Sequence, residues 1–133
     1  MTPALVPVAM AVERDPHAGP VSAEAWAADE AARRNGRVEM LNATRPGGRD
    51  GWTMDIRQYA ALRTFILDQV GDEGVLLKEL VAAAQDRFAG DPLFPRGRLR
   101  NYVTYAKVEL EARCEVERVP RCSPQRVIRW RAG

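Results

Sequence analysis

Three stripes of apolar residues recur at helical spacing, a short extended piece separates the first two, and after residue 113 the period drops from 3.6 to near 2. Together these observations predict a mainly α fold with a small β-hairpin, an α+β domain. Helix, strand, helix, helix, hairpin is the order of a winged helix-turn-helix. In that arrangement three helices bury their stripes together and a C-terminal wing covers the open side. The competing arrangement is a plain helical bundle with a disordered basic tail.

The chain has 133 residues, of which 46% are hydrophobic and 29% charged, enough apolar character for one ordinary folded domain. No apolar run approaches the roughly 20 residues that span a bilayer. The start, MTPALVPVAMAVERD, lacks a positive n-region and is interrupted by Pro7, so a secretory signal is not expected. The expected location is cytoplasmic.

Residues 1–37 read as a flexible N-terminal arm, rich in Pro and Gly up to Pro20, and residues 38–133 as the winged-helix domain. Within the arm, SAEAWAADEAARR (22–34) predicts a short helix, with Ser22 as its cap and Arg33 and Arg34 at its C-terminal end. Its apolar side is nearly all Ala, so Trp26 is the one large group it can bury. Residues 42–51, NATRPGGRDG, are loop by composition, and the packed body is expected to begin near Trp52.

Asp55 followed by Gln58 resembles a capping box, opening a helix whose stripe is Tyr59, Leu62, Ile66 and Val70 and whose end is Gly71. Gly74-Val75-Leu76 is a short extended piece. Leu77, Leu80, Val81, Ala84 and Phe88 make the second stripe, closed by Gly90. Asp91-Pro92 and Phe94-Pro95 then force a loop. The third helix is expected from about Arg96 to Arg113, with Leu99, Val103, Ala106 and Leu110 inward. Two short strands around Pro120-Arg121-Cys122-Ser123-Pro124 complete a hairpin, with Ile128 and Trp130 expected on the face that packs on the helices.

Short pieces in a fixed order carry a resemblance from Val38 to Trp130. They are Leu41-Asn42 with Pro46-Gly47, Tyr59-x-x-Leu62-Arg63, Leu93-Phe94-Pro95-x-Gly97, the run Lys107 to Arg113, and Arg129-Trp130-Arg131. In these the chain resembles a small bacterial family of uncharacterised, winged-helix-like proteins. It departs from that family where Tyr102 stands between Asn101 and Val103 instead of adjacent aromatics. It departs again where Cys114 stands at the end of the third helix instead of Gly. The resemblance implies a fold and carries no activity.

Chemistry-bearing residues are few. Cys114, Cys122 and His17 make a poor zinc site, which needs four ligands at tight spacing, and neither thiol has a base near it in sequence. The acids Asp68, Asp72, Glu73 and Glu79 show no catalytic spacing, and no phosphate-binding glycine loop is present. No enzymatic activity, metal or cofactor is expected.

Charge is more informative. The net charge is +2, but residues 96–133 hold ten basic groups against four acids, while the preceding two-thirds are mildly acidic. Eighteen Arg against two Lys reflects a preference among bases; it does not account for the thinning of acids after residue 95. Such polarity is the footprint of an anionic partner, nucleic acid first. With the third stripe inward, Arg100, Asn101, Thr104 and Lys107 are expected outward, types that read base edges, with Arg96 and Arg98 at the helix start. Arg118, Arg121 and Arg126 surround the hairpin loop, where they would meet phosphate or a minor groove. The expected partner is therefore double-stranded DNA. The alternatives are an adaptor that meets an acidic protein through Trp26 or the basic face, and a thiol-based redox sensor. The same outward residues also fit an ordinary solvated helix face, and the hairpin arginines fit a charged edge that blocks strand pairing.

Overall fold

The computed structural model describes residues 19–95 and 97–130, so the expected arm up to residue 18, with His17, and the residues Arg96 and Arg131 lie outside the described residues. Ser22 caps α1 (Ala23–Arg34) by accepting the Ala25 N–H at 3.1 Å. The next element corrects the sequence reading. Instead of a body beginning near Trp52, an antiparallel hairpin precedes it: β1 (Arg37–Leu41), a tight turn through Pro46–Gly48, and β2 (Arg49–Asp55).

β1 escaped the period-2 search because it is covered on both faces. Val38 and Met40 enter the main core, and Leu41 lies in a second small cluster with Val21, Ala25 and Ala112 beneath α1. Asp29, buried on α1, accepts the Glu39 backbone N–H at 3.1 Å and so ties the helix to the strand. Four α-helices are therefore present among the described residues, where a winged helix-turn-helix has three.

α2 (Ile56–Val70) begins at Asp55, whose carboxylate accepts the Arg57 N–H at 2.7 Å. Gln58 does not close a capping box: its amide donates across the molecule to the Leu93 carbonyl at 2.8 Å. The expected stripe of Tyr59, Leu62, Ile66 and Val70 is fully buried. Arg129 donates to the carbonyls of Leu67, which also accepts the Gly71 N–H, and of Gly71, and so ties β5 to the end of α2.

β3 (Val75–Leu76), α3 (Leu77–Arg87) and α4 (Leu99–Ala112) follow, then β4 (Val116–Arg118) and β5 (Arg126–Arg129). The three short strands pair antiparallel in the order β3-β5-β4. Gly74 permits this closure: at φ +84°, a Cβ there would lie 2.6 Å from Ile128 Cγ2 and 2.7 Å from the Val127 carbonyl.

The main core joins the α2 stripe to Leu80, Ala84 and Phe88 of the α3 segment and to Val103, Ala106 and Leu110 of α4. Phe88 contacts Phe65 and Phe94 edge-on at 5.4 and 4.9 Å. The sheet seals the core with Val116 and Val127. β5 buries the expected Ile128 and, in addition, Val127, which lies fully buried in the main core; Trp130, one residue past the strand, is half-buried.

Candidate nucleic-acid interface

α4 buries Val103, Ala106 and Leu110, and this fixes what it turns outward. Arg100, Asn101 and Tyr105 are exposed, and Thr104 is half-buried. An open groove of about 440 Å³ runs between α3 and α4 and is closed by the hairpin loop. Lys78, Arg100, Thr104, Pro124 and Gln125 are among its lining residues. The structure thus brings Arg100 and Thr104 together with the β4–β5 loop and adds Lys78, which the sequence reading missed. Thr104 turns its hydroxyl onto its own helix, donating to the Arg100 carbonyl at 3.1 Å. Arg98 precedes the first turn of α4 and is exposed, as are Arg118 and Arg121 on the hairpin; Arg126 is half-buried.

Lys107 is corrected. It is only 3% exposed, and its ammonium donates to Glu111 at 3.2 Å and to Gln125 Oε1 at 2.8 Å. It faces the flank of α4 that the hairpin loop covers, so it anchors the loop and offers nothing to a partner. A helical wheel shows which face is apolar; it does not show which polar flank a distant loop will cover.

The arginines fall into two groups. One group is ion-paired: Arg33 with Asp29, Arg45 with Asp50, Arg49 with Glu39, Arg57 with Asp55, Arg63 with Glu115, and Arg113 with Glu109 and Asp29; Arg34, exposed at the end of α1, makes no ion pair with any described residue. Arg37 lies against Thr53, Arg87 against the Phe88 ring and Arg129 against the end of α2. Arg98, Arg100, Arg118, Arg121 and Arg126 make no ion pair with any described residue. Their charge is left to solvent or to a partner.

A second polar assembly lies on another side of the molecule. Tyr59 donates to Glu109 at 2.7 Å, and Arg113 bonds the other Glu109 oxygen and reaches Asp29 at 3.1 Å. The Arg113 guanidinium also stands 5.3 Å from the Trp26 ring centre and 5.8 Å from that of Tyr59. Burial pushes the Glu109 carboxyl up to about 7, against the pull of Arg113 and of the Tyr59 hydrogen bond. Burial and the Glu109 carboxylate hold the Tyr59 phenol far above its ordinary value. Burial opposes the Arg113 charge, yet Glu109, Tyr59 and Asp29 keep its pKa raised.

The sequence reading missed this assembly. Its one available signal was Glu109 and Arg113 at i, i+4 spacing beside the apolar stripe. Tyr59, Arg63, Glu109 and Arg113, all within the pieces that carry the resemblance, meet here or at its rim.

No disulfide joins Cys114 and Cys122, and the Cys122 thiol donates to the Pro124 carbonyl. Among the described residues no group of three or more His, Cys, Asp or Glu is placed to hold a metal, and no helix is long and apolar enough to cross a membrane. No curated protein and no solved structure matches the chain. The model of a family of unknown function, DUF6958, matches residues 37–127, from the first strand of the N-terminal hairpin to β5. That span covers the N-terminal hairpin, three of the helices, the groove, the second hairpin up to Val127, and Tyr59, Glu109 and Arg113 of the charged assembly; the chain therefore belongs to this family of unknown function.

Proposed function

We propose that the chain is a winged-helix module that binds double-stranded DNA, with α4 in the major groove and the β4–β5 loop on the flanking backbone. The order α2-β3-α3-α4-β4-β5 and the sheet order β3-β5-β4 support the winged-helix part of this reading. One observation carries the DNA part. Arg98, Arg100, Arg118, Arg121 and Arg126 lack carboxylate partners and sit on α4 and the hairpin, the two elements that border one groove. Asn101 and Arg100 are the side chains set to reach base edges, and Arg118 and Arg121 those set to meet phosphate.

The adaptor reading loses one of its two anchors. Trp26 is half-buried against the small cluster under α1, with Arg113 over its ring, so it is engaged within the chain. An acidic protein meeting the arginines remains the competing partner.

The test is a titration of the full chain with random-sequence duplex at several salt concentrations. Log affinity is expected to fall linearly with log salt, by about 0.9 units per phosphate contacted. Arg121→Ala is expected to make the slope shallower by about one unit without changing the preferred sequence. Absence of salt-sensitive duplex binding contradicts the reading.

A further inference from the structure

Arg98, Asn101 and Tyr105 follow one another at i, i+3 and i+7 and so share one ridge of α4, beside the ridge of Arg100 and Thr104 that lines the groove. Tyr105 is 41% exposed, the one large hydrophobic side chain left so open among the described residues. It meets Trp52 of β2 edge-on, ring centres 5.3 Å apart. Trp52 is held in place: its indole N–H donates to Asp50 at 3.1 Å, and its body packs on the main core. Arg45 neutralises Asp50 at 3.3 Å, so the aromatic pair does not carry an unbalanced negative charge. The N-terminal hairpin, which a bare winged helix does not need, thus places a fixed aromatic pair on the flank of α4 away from the wing.

We infer that Trp52 and Tyr105 form a second, non-ionic contact on the same duplex, with the Tyr105 ring laid against sugar and base edges next to the Arg98–Asn101 ridge. The inference rests on the DNA reading above. The unneutralised Arg98 and Arg100 on the same turn of helix favour a polyanion over an apolar protein face. Aromatic contacts to nucleic acid add affinity without releasing counterions, so they leave the salt slope unchanged.

The experiment compares the parent, Tyr105→Ala and Tyr105→Phe for binding to one duplex across a salt series, with thermal melts of all three. Tyr105→Ala is expected to bind about tenfold more weakly at every salt concentration, on a line parallel to the parent's. Tyr105→Phe is expected to bind and melt like the parent, and Tyr105→Ala to melt a few degrees lower for loss of the edge contact with Trp52 while remaining folded at the binding temperature. If Tyr105→Ala binds like the parent, the aromatic pair lies outside the interface and only this inference falls. If Tyr105→Ala weakens binding with a shallower slope, or Tyr105→Phe loses as much as Tyr105→Ala, the ring does not act as a non-ionic surface and the inference is overturned. If the parent itself fails to bind duplex, the DNA reading falls first.

Discussion

Cys114 closes α4 in a conformation that suits glycine. Its φ is +62°, its N–H donates to the Glu111 carbonyl at 3.1 Å, and the next N–H, of Glu115, donates to Leu110 at 3.0 Å. This pair of bonds is the Schellman motif, in which a side chain at the left-handed position costs about 1 kcal/mol. Cys114→Gly is therefore expected to stabilise the chain by about that amount, read as a higher urea midpoint; an unchanged or lower midpoint contradicts it.

Glu109 gives a second prediction at this scale. Its folded pKa of about 7 lies above the ordinary 4.5, so the folded chain holds the extra proton between those values. That stabilisation is fully present below 4.5 and is lost as pH rises through about 7. Asp55, which the Arg57 side chain holds down to about 2, acts with the opposite sign and only below its ordinary 3.8. Between about pH 5 and about pH 8 the parent is thus expected to lose stability relative to Glu109→Gln, as urea melts of both would show. Parallel pH profiles would mean that Glu109 keeps one charge state throughout.

Helices were the most legible elements, because each of α2, α3 and α4 buries a single stripe and a stripe has a period. The hairpin β1–β2 was not legible. Val38 and Met40 face the core while Leu41 lies under α1, so the strand shows no alternation, and Pro46-Gly47-Gly48 made the whole stretch look like loop. The consequence reaches α1. A helix that is half Ala holds to the body through Asp29, Trp26 and their shared neighbour Arg113. Arg113→Ala leaves the buried Glu109 without its cation, while Asp29 keeps Arg33, and is expected to cost roughly 3 kcal/mol. Amide hydrogen exchange should report the loss first in α1 and β1. Exchange that rises uniformly, or a parent-like melt, would show that α1 does not depend on Arg113.

At the scale of the whole molecule, the excess of basic residues after residue 95 was visible in the sequence; which of them stay unneutralised was not. That depended on partners far apart in sequence, such as Glu115 for Arg63 and Gln125 for Lys107. Lys107 left the candidate surface on that account, while Lys78 joined it from α3. Arg98, Arg100, Arg118, Arg121 and Arg126, around the start of α4 and the hairpin, are left without ion pairs, as are Arg34, Arg37 and Arg87 elsewhere among the described residues. Surface ion pairs contribute little to stability, so removing the unpaired arginines should leave the fold intact and change only what it attracts. The most direct measurement is the salt slope of duplex binding for the parent, for Arg98→Ala/Arg118→Ala/Arg121→Ala, and for Arg57→Ala, whose guanidinium pairs with Asp55, as a control. The triple variant is expected to melt like the parent and to bind with a slope shallower by about three units, while the control keeps the parent slope. Equal slopes for the parent and the triple variant, or the same loss in the control, would contradict a duplex held by the unpaired arginines of α4 and the hairpin.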